Sequence, residues 1–264
     1  MNNILENIVK ERKRTIKKLK RIVSEGHWAM MPLFQKECFS LKTALLDKYN
    51  SGIIAEFKRA SPSKGIINDE VDVLDVVLDY QLNGATGLSI LTEPVFFEGN
   101  NDDILGVAKS LIIPVLRKDF MVDEYQLVET KALGADVVLL IAAILTKLET
   151  QRFSKLAHEL GMEVLLEIHN EMELDWISGE IDIVGVNNRD LKTFTVDVNR
   201  SIELSEKIPG DKIKISESGI DDIATIRLLR QHGFNGFLIG ERFMKEKDPG
   251  QAFKNFTEKL NEAE

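Results

Sequence analysis

With 264 residues, 44% apolar, 29% charged and 7% aromatic, the chain is one large domain or two small ones, and it is too apolar to be disordered. Its longest apolar run, 137–145, has nine residues where a membrane helix needs about 20, and its one cysteine, Cys38, excludes a disulfide framework and any multi-cysteine metal site. A net charge of −9 argues against nonspecific nucleic-acid binding by the molecule as a whole.

The first 47 residues precede any strand and read as two helices, 4–23 and 33–47. They are too few for an independent domain, so residues 1–47 are expected to form a helical extension packed on a main domain of residues 48–264. Residues 10–21 hold eight Lys/Arg and one Glu, a net of +7 that leaves −16 for the remainder. Such a block is either a solvated helix face or a patch for nucleic acid or membrane. Ile16 and Leu19 at helical spacing favour the amphipathic, solvated face. The first 23 residues carry charge throughout and lack the apolar stretch of a secretory signal, so a reducing, cytoplasmic setting is expected.

From residue 53 onward, short apolar runs rich in β-branched residues recur every 20 to 34 positions, at 53–57, 87–91, 112–116, 136–142, 162–168, 182–186, 212–216 and 235–239. Continuous apolar runs of this kind are the pattern of buried parallel strands. Helical signals follow most of them. Val71, Leu74, Leu78 and Leu82 lie at three- and four-residue steps before Gly84, and Asp123 can cap a helix that runs to Leu133 before Gly134. Eight βα units in about 210 residues predict a (β/α)8 barrel. The rival, an open doubly wound sheet, lacks its GxGxxG fingerprint after the first strand.

In a barrel of this type the chemistry gathers where strands end. A charge there needs a reason, because burying one unpaired costs several kcal/mol. The first strand ends in Glu56 and Lys58, two residues apart and so on one side of the strand. The third leads into Arg117, Lys118 and Asp119; Arg117 and Asp119 face away from Lys118 and can neutralise each other outside the barrel. The fifth carries Glu167 between Leu166 and Ile168, where burial raises a carboxyl pKa unless a cation is near. The sixth ends in Asn187, Asn188 and Arg189, groups suited to oxyanions. For each of these an ion pair or capped turn that serves only the fold is the alternative.

Gly219 and Gly240 follow the seventh and eighth strands, the usual phosphate position of this fold. Glu241 beside them must turn its side chain away from a bound anion. The four histidines form no HxH or HExxH pattern and read mostly as surface residues, and there is no GxSxG elbow. Nothing calls for a metal or nucleotide cofactor.

The stretches IIAEFKRASPSKG, LTEPVFFEG, VLRKDF, LLEIHN, GVNNRDL, SESGI and GFLIGERFM resemble, in order, the indole-3-glycerol phosphate synthase family of barrel enzymes. The resemblance implies a carboxy-lyase of tryptophan biosynthesis. Its phosphorylated substrate, 1-(2-carboxyphenylamino)-1-deoxyribulose 5-phosphate, closes a ring and loses CO2 and water. Carried over by position, Lys118 is the implied general acid at the ketone oxygen. Glu167 is the base that stabilises the iminium charge, and Lys58 is an anion contact and acid for dehydration. Glu56 holds the lysines. Asn187 and Arg189 position the substrate carboxylate near Glu217 and Ser218. Phosphate is implied at Ser61, Gly219, Gly240 and the Glu241 amide, and apolar walls at Phe120 and Leu191, with Phe96 or Phe97.

A desolvated Lys118 among other cations is expected to have a lowered pKa. A cytoplasmic monomer without nucleic-acid or membrane partners is expected. The rivals are a sugar-phosphate isomerase such as phosphoribosylanthranilate isomerase, a non-catalytic phosphate-binding barrel, and an RNA-binding protein using residues 10–21.

Overall fold

The apolar runs close on themselves. The computed structural model describes residues 4–190 and 193–262. The barrel strands are β1 (Ile53–Phe57), β4 (Gly87–Leu91), β5 (Val115–Lys118), β6 (Val137–Ile141), β7 (Glu163–Ile168), β8 (Ile183–Asn187), β9 (Ile213–Glu217) and β10 (Gly236–Ile239). A small hairpin, β2 (Ala60–Ser61) and β3 (Gly65–Ile66), stands in the loop after β1. Every barrel pairing is parallel, and β1 pairs with both β4 and β10. The chain is therefore a (β/α)8 barrel.

Two apolar layers hold it. Alternate residues Ile54, Leu116, Leu139, Leu165, Ile183, Ile215 and Leu238 fill the interior. Their strand neighbours, such as Phe57, Val115, Leu166 and Val184, pack outward against the helices. This period of two decides which polar side chains reach the mouth.

The N-terminal residues pack against the barrel along much of their length. Helix α1 (Ile4–Leu19) buries Ile8, Arg12 and Ile16. After α2 (Glu25–Ala29), helix α3 (Leu41–Leu46) pushes Leu41 and Leu45 into the interior cluster. A Cβ at Gly87, which opens β4, would meet Leu41, and one at Gly236, which opens β10, would meet Leu45. Leu41 and Leu45 thus close the N-terminal end of the barrel. Lys36 pairs with Asp136 at 2.6 Å beside them.

Three expectations are corrected. The single helix over 33–47 does not form: residues 36–40 are irregular and only Leu41–Leu46 is helical, capped by Ser40. The first helix stops at Leu19, short of residue 23. The third barrel strand begins at Val115 rather than Ile112, because Pro114 has no N–H for a ladder; Ile112 is 75% exposed. That shift puts Lys118 inside the strand as its last residue.

Helix α4 (Val73–Leu82) is capped by Asp72, and α6 (Tyr125–Leu133) ends at Gly134. Helices α5 (Asn101–Val107), α7 (Lys147–Glu159), α8 (Asn199–Ser205), α9 (Ile223–Gln231), α10 (Glu241–Met244) and α11 (Pro249–Glu262) complete the shell. After β7 a 3-10 turn, Glu171–Trp176, replaces a full α-helix. Among the described residues no helix is long and apolar enough to cross a membrane.

Candidate active site

Strand alternation delivers the charges. Ile54 faces the interior, so Glu56 does too; the same step links Leu116 to Lys118, Leu165 to Glu167 and Ile215 to Glu217, and two such steps link Ile183 to Asn187. These side chains meet at the C-terminal ends of their strands, on the floor of a cavity of about 780 Å³.

Lys118 is the hub. Its Nζ donates to Glu217 Oε2 at 3.1 Å and lies 3.7 Å from Glu167 Oε2 and 3.8 Å from Glu56 Oε2. Lys58 Nζ donates to Glu56 Oε1 at 2.8 Å, and Ser89 donates to Glu56 Oε2 at 3.2 Å. Asn187 Nδ2 donates to Glu167 Oε1 at 3.2 Å, while Asn187 Oδ1 accepts from Ser218 Oγ at 2.9 Å and from the Arg189 amide at 3.0 Å.

This cluster sets the protonation states. Burial pulls the Lys118 pKa down, but the charges of Glu217, Glu56 and Glu167 overcome it and hold the pKa above its ordinary value. The expectation of a lysine among cations, with a lowered pKa, is corrected: its charged neighbours are carboxylates. Burial works to raise Glu56, and the charges of Lys58 and Lys118 outweigh it, so its carboxyl lies below the ordinary value. Glu167 is lowered in the same way, by Lys118 and His169 against burial. Glu217 goes the other way, raised to about 7 by burial and by the nearby charges of Glu167 and Glu56 despite Lys118. Its Oε1 is buried without a hydrogen-bond partner among the described residues, and would lie 2.4 Å from a Cβ placed on Gly185.

One side of the mouth is built from turns. Ser218 and Gly219 both have positive φ, 69° and 74°. A non-glycine residue held there is strained by about 1–3 kcal/mol, a feature that clusters at ligand sites. A Cβ at Gly219 would meet Val196 at 2.3 Å, and one at Gly240 would meet the Glu56 side chain at 2.8 Å. Both glycines are therefore also required by close packing. Ser61 and Lys64 from the β1–α4 loop line the same region. Glu241, expected to point away, has its carboxylate 3.4 Å from Lys64 and 3.8 Å from Arg189. On the other side Phe97 and Phe120 stack at a tilt, 6.0 Å apart, and Ile4, Leu5 and Ile8 of α1 complete an apolar wall.

The structure brings together Glu56, Lys58, Ser61, Lys118, Phe120, Glu167, Asn187, Arg189, Glu217, Ser218, Gly219, Gly240 and Glu241 around this one cavity. Phe97 lines it and Phe96 does not. Leu191 lies outside the described residues.

Sequence reasoning missed several residues. His169, one of four histidines whose sequence pattern reads mostly as surface residues, is 8% exposed and sits 3.1 Å from Glu167. Arg117 and Asp119, read as neutralising each other outside, are indeed on the far side of the strand but wholly buried, with Arg117 also reaching Glu129 at 2.7 Å. Arg12, counted in the solvated basic block, is 5% exposed and pairs with Asp119. Glu93 accepts from the amides of Val95, Phe96 and Phe97 and so shapes the loop that carries Phe97.

A closed parallel barrel that gathers Glu56, Lys58, Lys118, Glu167 and Glu217 in one cavity at the C-terminal ends of its strands has the architecture of a (β/α)8-barrel enzyme. Solved structures agree on the fold. The barrel superimposes on 3-hexulose-6-phosphate synthase from Salmonella typhimurium with a TM-score of 0.63 at 13% identity, covering 81% of this chain and 100% of that one. It also superimposes on tryptophan synthase subunit alpha from Legionella pneumophila with a TM-score of 0.61 at 14% identity, over 84% and 97% of the two chains.

Sequence comparison is sharper. The family model for indole-3-glycerol phosphate synthase matches residues 5–256. The protein of that name from Bacteroides thetaiotaomicron is 50% identical over 217 residues, 82% of this chain and 83% of that one. The one from Alkaliphilus metalliredigens is 42% identical over 252 residues, 95% and 97%. The chain belongs to the indole-3-glycerol phosphate synthase family.

Proposed function

We propose that this chain converts 1-(2-carboxyphenylamino)-1-deoxyribulose 5-phosphate to indole-3-glycerol phosphate, the carboxy-lyase step of tryptophan biosynthesis that its family name denotes. The observation that carries the residue assignments is the Lys118 ammonium held among Glu56, Glu167 and Glu217 on the cavity floor.

The chemistry follows from charge. The aromatic carbon that bears the substrate carboxylate attacks the ketone, and negative charge grows on the ketone oxygen. Lys118, held protonated by the acidic groups around it, donates a proton there. Positive charge grows on the aniline nitrogen, and Glu167, held ionised, faces it. Loss of CO2 restores the aromatic ring. The new hydroxyl then leaves as water with a proton from Lys58, which Glu56 orients, and the neighbouring carbon completes the indole by giving up its proton to solvent, which reprotonates Lys58. Glu217, with its pKa near 7 and 3.1 Å from Lys118, can return a proton to that lysine. Each acid–base group of this kind contributes about 10²–10⁴-fold.

The substrate's phosphate is assigned to Ser61, Gly219, Gly240 and the Glu241 amide, its carboxylate to Asn187 and Arg189, and its ring to Phe97 and Phe120. A cytoplasmic monomer is part of the same reading. The direct test is incubation of the purified protein with the substrate while indole fluorescence is followed. Turnover is expected, and Lys118→Met is expected to lower it at least about tenfold. No fluorescence from the wild-type protein refutes the function, and wild-type turnover in Lys118→Met refutes the assignment of the acid.

A further inference from the structure

Behind the cavity floor lies a buried, titratable side chain that the mechanism above does not use. His169 follows β7 directly, two residues beyond Glu167, so both side chains leave on the same side. The imidazole does not line the cavity. Its Nε2 lies 3.1 Å from Glu167 Oε1, an ion-pair contact rather than an aligned hydrogen bond, and its Nδ1 lies 3.3 Å from Glu173 Oε2. Glu173 is fixed in turn. Its Oε2 accepts from the His169 amide at 2.7 Å and its Oε1 from Asn170 Nδ2 at 2.8 Å.

Carboxylates on both sides of an imidazole settle its charge. A neutral ring has one N–H and one lone pair, so one of its nitrogens would face an acceptor with an acceptor. Only the doubly protonated ring suits both neighbours. Burial disfavours that cation, yet the contacts with Glu167 and Glu173 prevail and raise the His169 pKa to about 9. The charged groups around the ring are Glu167 and Glu173, with Lys118 beyond Glu167 at 3.7 Å from its other oxygen.

We infer that His169 is a positioning residue: an imidazolium braced by Glu173 that fixes Glu167 Oε1 from behind and leaves Oε2 turned toward Lys118. Asn187 holds the same Oε1 from the neighbouring strand. Glu167 thus has one oxygen committed to the scaffold and one toward the reacting site. The imidazolium is also a second cation, besides Lys118, that keeps Glu167 ionised. The inference rests on the reading of Glu167 as the group that faces the developing positive charge.

The test measures kcat, KM and the pH profile of kcat in His169→Leu, His169→Gln, Glu173→Gln and Glu167→Gln. His169→Leu removes both the contact and the charge. Its kcat is expected to fall about tenfold or more with KM changed less than about twofold. Its acidic limb is expected to move up by about one pH unit, because Glu167 without the imidazolium holds its proton to higher pH. His169→Gln can restore a donor without charge, so kcat recovers in part and the acidic limb stays shifted. In Glu173→Gln the ring has lost one of its two anions, so its own proton leaves earlier, and the His169 imidazole titration followed by NMR moves from about 9 to lower pH.

A His169→Leu protein with the wild-type kcat and pH profile, whatever its melting temperature, overturns the inference. If His169→Leu fails to fold, Glu173→Gln decides, and an imidazole titration of His169 unmoved from that of the wild type overturns it equally. Glu167→Gln keeps the two readings apart. Turnover lost in Glu167→Gln but intact in His169→Leu defeats the positioning role alone. Wild-type turnover in Glu167→Gln defeats the role of Glu167, and the inference falls with it.

Discussion

Replacing Arg12 by Met tests how the N-terminal helix is coupled to the site. Arg12 is 5% exposed, and its guanidinium meets Asp119, itself 1% exposed. Removing one partner of a buried ion pair costs about 3–5 kcal/mol, since the other charge stays behind. Asp119 would keep three contacts: Thr92 Oγ1 at 2.7 Å, the Phe120 amide at 2.7 Å and Arg117 at 3.3 Å. The low end, about 3 kcal/mol, is therefore expected. For a domain of this size that lowers Tm by about 6–12 °C. Asp119 stands between Lys118 and Phe120, and α1 contributes Ile4, Leu5 and Ile8 to the cavity wall, so KM is expected to rise as well. Calorimetry reads the first effect and steady-state indole fluorescence the second. A Tm within about 1 °C of wild type together with an unchanged KM refutes the reasoning, since the pair would then contribute no more than an exposed one.

Three other outcomes are expected. The wild-type kcat falls as pH rises through about 7, where Glu217 loses its proton; Glu217→Gln abolishes that inflection, and its persistence in the variant assigns it elsewhere. Gly240→Ala puts a methyl 2.8 Å from the Glu56 Cβ and Oε1, which must shift Glu56 relative to Lys58; kcat is expected to drop roughly tenfold, and an unaltered kcat means that Glu56 has room to move. We propose that residues 1–47 are an extension folded as part of the barrel rather than a separate unit. Their deletion uncovers the interior that Leu41 and Leu45 close, and should lower both Tm and activity. An equally stable and active truncation defeats that proposal.

The barrel was readable because its strands are buried on both faces, which writes them as unbroken apolar runs. The site was readable where a charge interrupts such a run, as Glu56, Glu167 and Lys118 do. What stayed hidden depends on contacts between distant segments. Nothing near Lys118 in sequence announces Glu217, which is 99 residues away in the chain, so the sign of its pKa shift was out of reach. His169 looked ordinary because its partner Glu173 belongs to a 3-10 turn that hydrophobic periodicity does not mark. Arg12 looked like one more member of a basic run; only the packing of α1 singles it out. The apolar Ile112 and Ile113 extend the strand pattern back past Pro114, whose missing N–H lets the ladder begin only at Val115.

Glu241 gives the end of the cavity to which we assign the phosphate an unusual starting condition. Lys64 and Arg189 each already have a carboxylate oxygen of Glu241 nearby, at 3.4 and 3.8 Å. A ligand arriving there does not meet two bare cations; it displaces a resident monoanion. Its binding free energy is then a difference between two anions in the same place. A dianionic phosphate gains from that exchange, whereas a singly charged sulfonate or carboxylate of equal shape gains little. On that assignment, a residue that looks like an obstacle when counted by charge alone lets the cavity discriminate by ligand valence.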